Sequence, residues 1–95
     1  MLFVAVLTHT PESCLMRPEH AKAYEELIKN WENTKKLVKV LGGYVNPNEH
    51  TFFIILEADN YASVTRALGP PMLTYHTGKI TPVITMDEAI KVLKT

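Results

Sequence analysis

Two stretches of the chain are apolar without a break, Leu2-Phe3-Val4-Ala5-Val6-Leu7 and Phe52-Phe53-Ile54-Ile55-Leu56. Both are short and closed by polar residues, the first by the segment that leads to Pro11. Each reads as a strand covered on both faces rather than one that alternates. Between them the period changes. Tyr24, Leu27, Ile28, Trp31 and Val38 recur at three-to-four spacing, while Glu25, Glu26, Lys29, Asn30, Glu32 and Asn33 take the other side. This predicts an amphipathic helix from about Glu19 to Lys36. Pro18 and Glu19 suit its first turn, where a missing N–H costs nothing and an acid complements the dipole.

Leu37 to Val45 combines β-branched residues with Gly42-Gly43, a mixture that weakens a helix and suits a strand with a bulge or a close backbone approach. Asn46-Pro47-Asn48-Glu49 puts proline at the second position of a tight turn and joins this strand to His50-Thr51-Phe52 as a hairpin. Asp59 or Asn60 can cap a second helix that turns Tyr61, Val64 and Leu68 inward, and Gly69-Pro70-Pro71 should end it. A loop around His76 then leads to a last strand, Lys79 to Ile84. Thr85-Met86-Asp87-Glu88 has the spacing of a capping box, so a terminal helix should run from Met86 to about Lys94. The order is strand, helix, strand, strand, helix, strand and a helical tail. That is an α+β chain of ferredoxin-like βαββαβ type with a four-stranded antiparallel sheet and a short C-terminal helix, read as one domain over residues 1–95.

Helices can cover only one face of such a sheet, yet the first and third strands are apolar on both. A domain of 95 residues also buries a modest core. Both facts lead to the expectation of an obligate homodimer or higher homo-oligomer, two sheets packed face to face around an interior able to take a small ligand. Charge adds little: ten basic residues balance ten acidic ones, and the lysines are scattered, so nothing favours nucleic acid. The lone cysteine rules out an internal disulfide, and the first residues lack the pattern of a secretory leader, from which a cytoplasmic location is expected. Neither apolar run approaches the roughly 20 residues of a membrane span.

The hairpin Gly43-Tyr44-Val45-Asn46-Pro47, the strand Thr51 to Glu57 followed by Ala58-Asp59-Asn60-Tyr61, and the ending Ile80-Thr81-Pro82-Val83-Ile84-Thr85-Met86-Asp87-Glu88-Ala89 together resemble the dimeric α+β barrel superfamily. Within it the chain looks like the small members known only as a domain of unknown function. The resemblance implies the dimer and a cleft but no reaction, since its members range from cofactor-free and haem-degrading monooxygenases to isomerases and ligand-sensing domains. His76 stands near the place of the haem-degrading branch's axial histidine. The first strand lacks that branch's asparagine, however, and Trp31 lies on the first helix, so haem degradation is not implied.

The residues with chemistry to offer are His9, Glu12 and Cys14 after the first strand, Glu57 at the end of the third, and Tyr75 and His76 before the fourth. Placing the C-terminal ends of strands one and three at the same edge as the start of strand four makes His9, Glu12, Cys14, Glu57 and His76 converge. The same placement sends His50 to the opposite edge. Two imidazoles with a thiolate or carboxylate suit a divalent transition metal such as zinc, although no paired-ligand spacing is present. The plainer reading of His9-Thr10-Pro11-Glu12 is a turn with Glu12 in water. Cys14 is alternatively a reactive thiol or a small buried hydrophobe. His9 or His76 with Glu57 would serve acid–base work on a small ligand, and Tyr75 would line its pocket. The leading expectation is a module that binds a metal ion or small molecule near His9 and His76. The alternatives are a monooxygenase- or isomerase-like enzyme, and an assembly protein whose interior is solid.

Overall fold

In a computed structural model, which describes residues 1–94, the first strand β1 (Leu2–Thr8) leads through a short 3-10 turn (Pro18–His20) into helix α1 (Ala21–Leu37). The hairpin β2 (Lys39–Asn46) and β3 (Thr51–Glu57), helix α2 (Tyr61–Tyr75), strand β4 (Thr77–Val83) and helix α3 (Met86–Lys94) follow. All neighbouring strands are antiparallel, in the order β2-β3-β1-β4. The chain is therefore α+β, consistent with the ferredoxin-like fold.

β1 alternates: Phe3, Ala5 and Leu7 are buried under the helices, while Leu2, Val4 and Val6 are half-buried on the other face. β3 repeats the pattern, with Ile54 and Leu56 buried and Phe53 and Ile55 exposed. The apolar residues on the uncovered face explain why both runs lack polar interruption. The core lies on the helix side, where Phe3, Ala5, Leu7, Ile54 and Leu56 meet Leu27 of α1 and Val64, Leu68 and Met72 of α2. β2 carries the expected irregularity, a register shift between Val40 and Gly42 against β3.

The second helix is longer than its sequence suggests. Gly69 adopts φ 72° and breaks it, as glycine readily does, but Pro70 and Pro71 begin a new helical segment instead of a loop, and it carries the chain to Tyr75. Two prolines fit a helix start because neither needs a donor there. The break costs hydrogen bonds, since Pro71 cannot donate to the Ala67 carbonyl four residues back. α1 supplies replacements: Thr34 Oγ1 donates to the Ala67 carbonyl at 2.6 Å and Asn30 Nδ2 to that of Leu68. Thr34 is accordingly 1% exposed on a helix otherwise buried only at Leu27. Tyr61, expected inward, is exposed because it stands at the solvent side of the first turn.

α3 begins with the capping box the sequence predicts: Glu88 N–H donates to Thr85 Oγ1 at 3.0 Å, and Thr85 N–H donates to Glu88 Oε1 at 3.3 Å. Among the described residues α3 packs on no other element, and it leaves Met86, Ile90 and Leu93 exposed. The molecule is correspondingly long, 55 × 26 × 17 Å. Among the described residues no helix is long and apolar enough to cross a membrane.

Candidate metal and ligand site

The register of the sheet builds the site. Thr8 is opposite Thr51 on one side and Thr77 on the other, so the residues one step beyond the sheet, His9, His50 and His76, form a row across β3, β1 and β4. One further ladder bond, from His9 N–H to the His50 carbonyl at 3.2 Å, holds the first two together. The hairpin turn fixes His50 from its other side: Glu49 N–H donates to Asn46 Oδ1 at 3.1 Å, and His50 itself sits at φ 53°.

This geometry corrects the expected placement of two residues. Antiparallel neighbours run in opposite senses, so the C-terminal end of β1 meets the N-terminal ends of β3 and β4 and not the C-terminal end of β3. His50 therefore belongs beside His9. Glu57 pairs with Leu2 at the far end of the sheet, where it lines a separate depression with Met1, Val83 and Glu88. Glu12 is exposed, and its backbone carbonyl accepts from His20 Nε2 at 3.3 Å. Tyr75 is exposed outside the site. Of the residues singled out in the sequence, His9, Cys14 and His76 come together.

Cys14 reaches the row through a folded loop. Thr10 and Ser13 exchange backbone and hydroxyl hydrogen bonds, and Cys14 N–H donates to the Pro11 carbonyl at 3.3 Å. Leu15, 4% exposed, anchors the loop in the core. One ligand atom each from His9, Cys14 and His50 then lie within 4.8 Å of one another. His50 Nδ1 and His9 Nε2 are 3.2 Å apart. Two imidazole nitrogens bound at zinc's usual length to one tetrahedral ion would be about 3.3 Å apart. The two rings thus hold a spacing that suits either a shared proton or a shared ion.

His76 occupies the third place in the row. Its ring stands edge-on to His9 at 4.9 Å and to Phe52 at 5.0 Å between centroids. His76 Nδ1 is 2.8 Å from the Met72 carbonyl, which can only accept, so Nδ1 carries the proton and Nε2 a bare lone pair. Among the described residues that Nε2 and His9 Nδ1 are buried without a partner. Burial pushes both imidazoles below their ordinary range. The neighbouring His76 and His50 rings push His9 further the same way, and the Met72 hydrogen bond opposes the effect on His76. His9 and His76 are thus favoured as neutral imidazoles, the form that binds metals and accepts hydrogen bonds.

Behind the row lies a cavity of about 500 Å³ between the sheet and α1. His9, Cys14, His50 and His76 mark one end, and Tyr24, Leu27, Ile28, Trp31, Phe52 and Met72 supply much of its wall. Gly43 makes room for it, since a Cβ there would lie 2.7 Å from the Trp31 indole. The sequence held a signal for His50 in the mirrored pairs Thr8-His9, His50-Thr51 and His76-Thr77. In antiparallel neighbours such reversed pairs place their histidines on one row.

Comparison with curated proteins gives no match. The family model described as a domain of unknown function, DUF3303, matches residues 1–95, and the chain belongs to that family.

Proposed function

We propose that the chain is a small homodimeric binding module that holds a divalent transition metal, zinc by the chemistry of its donors, with His9, Cys14 and His50, leaving a fourth coordination position open. The observation that carries this reading is the convergence of two imidazoles and the only thiol within 4.8 Å, His9 and Cys14 from the loop after β1 and His50 from the distant β2–β3 hairpin. Neutral imidazoles and a thiolate are the donors that borderline metals prefer. The cavity beside them argues for a bound small molecule and against the assembly reading, which requires a solid interior.

Protein purified without a histidine tag and reconstituted with zinc should carry one ion per chain by native mass spectrometry and elemental analysis. His50→Ala and Cys14→Ser should each lose it. Absence of stoichiometric metal in the folded wild type sinks the reading.

The second copy is supported by the uncovered sheet face, where Tyr44, Phe53, Ile55 and Val83 are exposed beside half-buried Val4 and Val6. A contiguous apolar face of this kind is uncommon on a monomer. Packing two such faces is the arrangement of the dimeric α+β barrel superfamily that the sequence resembles. A monomeric mass at micromolar concentration overturns it.

A further inference from the structure

We propose that the cavity between the sheet and α1 takes a neutral, planar, largely apolar molecule bearing one hydroxyl, which donates its hydrogen to Nε2 of His76. The inference goes beyond metal binding and deepens the same site, but its central contact does not require the ion.

His76 is 6% exposed and lines the cavity. Its Nδ1 is committed to the Met72 carbonyl at 2.8 Å, and its Nε2 has no partner among the described residues. A buried acceptor without a donor is a cost that native structures usually relieve. The hydrogen bond to Met72 also fixes the ring, so the lone pair keeps its position, closed to water, until a ligand shifts the side chains over it. A site built around such an acceptor distinguishes a hydroxyl from its absence more sharply than an apolar wall distinguishes one methylene from none.

The rest of the lining sets the remainder of the molecule. Among the described residues no lysine or arginine lines the cavity, so in the metal-free chain no cation balances a carboxylate or phosphate there, and an anion would lose its hydration without compensation. Tyr24 and Trp31 on the α1 side and Phe52 on the sheet side give aromatic surfaces to both walls, which suits a flat ring system. A volume near 500 Å³ admits a fused bicyclic molecule with room to spare and falls in the ordinary range of ligand pockets.

The test is calorimetric titration of the full chain, freed of metal by chelation and again after zinc loading, with 2-naphthol and with 2-methoxynaphthalene. The second molecule keeps the ring and the oxygen and lacks the donor. Metal-free wild type should bind 2-naphthol about tenfold more tightly or better. His76→Asn, whose amide can still donate to the Met72 carbonyl while removing the acceptor at the Nε2 position, should erase the preference. Equal affinities, or no binding of either probe, overturn the proposal. A preference that emerges only with zinc assigns the hydroxyl to the ion and overturns the role of His76, with metal binding intact. A preference kept by a chain that takes up no metal leaves this proposal standing and removes the metal reading alone. If His76→Asn does not fold, the comparison of the two probes on wild type still decides.

Discussion

Replacing Thr34 with valine isolates the device that holds the kinked second helix in place. The two side chains are nearly isosteric, so no cavity forms and the change removes one hydroxyl. That hydroxyl donates at 2.6 Å to the Ala67 carbonyl, which Pro71 has deprived of its helical donor. Thr34 is 1% exposed, so water cannot take over, and leaving a buried acceptor unpaired costs about 1–3 kcal/mol. For a domain of this size each kcal/mol moves the midpoint of thermal unfolding by roughly 4–8 °C. Thr34→Val should therefore lower Tm by about 4 °C at least and up to about 24 °C, followed by circular dichroism. Thr65→Val is the control: its hydroxyl donates to the Ala62 carbonyl from an exposed position, and it should fall within about 0.5 kcal/mol of wild type. Equal midpoints for the two variants would refute the claim that Thr34 replaces a bond the prolines removed.

Gly43→Ala places a methyl 2.7 Å from the Trp31 indole. It should cost about 1–3 kcal/mol by overpacking and shift the emission of the only tryptophan. An unchanged spectrum would place the ring elsewhere. Metal titration should show His50→Ala losing zinc affinity by tenfold or more, as loss of a ligand requires, and Glu57→Gln leaving it unchanged because that carboxylate lies at the far end of the sheet; the reverse order would restore the original placement. Acid should destabilise the metal-free chain. His9 and His76 titrate below their ordinary range when folded, so between the folded pKa and about 6.5 the unfolded chain takes up protons that the native one does not. Stability is complete above about 6.5 and falls as pH drops through that window, by no more than about 1.4 kcal/mol per pH unit for each histidine. His76→Asn should flatten the slope measured by urea unfolding at pH 7.5 and 5.5, and a slope that steepens contradicts the account.

What could be read in the sequence was local or periodic. Thr85 and Glu88 announce the start of α3 because a capping box closes within one turn. Gly42-Gly43 marks the β2 irregularity, and the apolar runs around Val4 and Ile55 mark a sheet face without helical cover. What was misread depends on relations between strands. His50 and Glu57 exchange roles because β3 runs antiparallel to β1, a direction that the expected antiparallel sheet and the mirrored histidine–threonine pairs already imply and that the placement of Glu57 beside His9 does not respect. The segment after Gly69 was misread for a different reason. Two prolines end one helix as readily as they begin another, and the choice is made by Asn30 and Thr34 on a different helix. The site was legible as residue types, and its membership became clear only with the register.

The row of histidines also bears on how the protein acquires its site. His9 and His50 are 41 residues apart, and β4, which brings His76, is among the last elements of the chain. His9 and His50 meet only once β3 has docked on β1, and His76 joins them only when β4 has docked as well, contacts of high sequence separation that form slowly compared with local helices. A metal or ligand held there has little to grip in a partly folded chain, so its binding free energy adds to the stability of the whole sheet rather than to one loop. Occupancy of the site would then report on completed folding, and a destabilising substitution far from the histidines would weaken apparent affinity in proportion to the fraction of chains it unfolds.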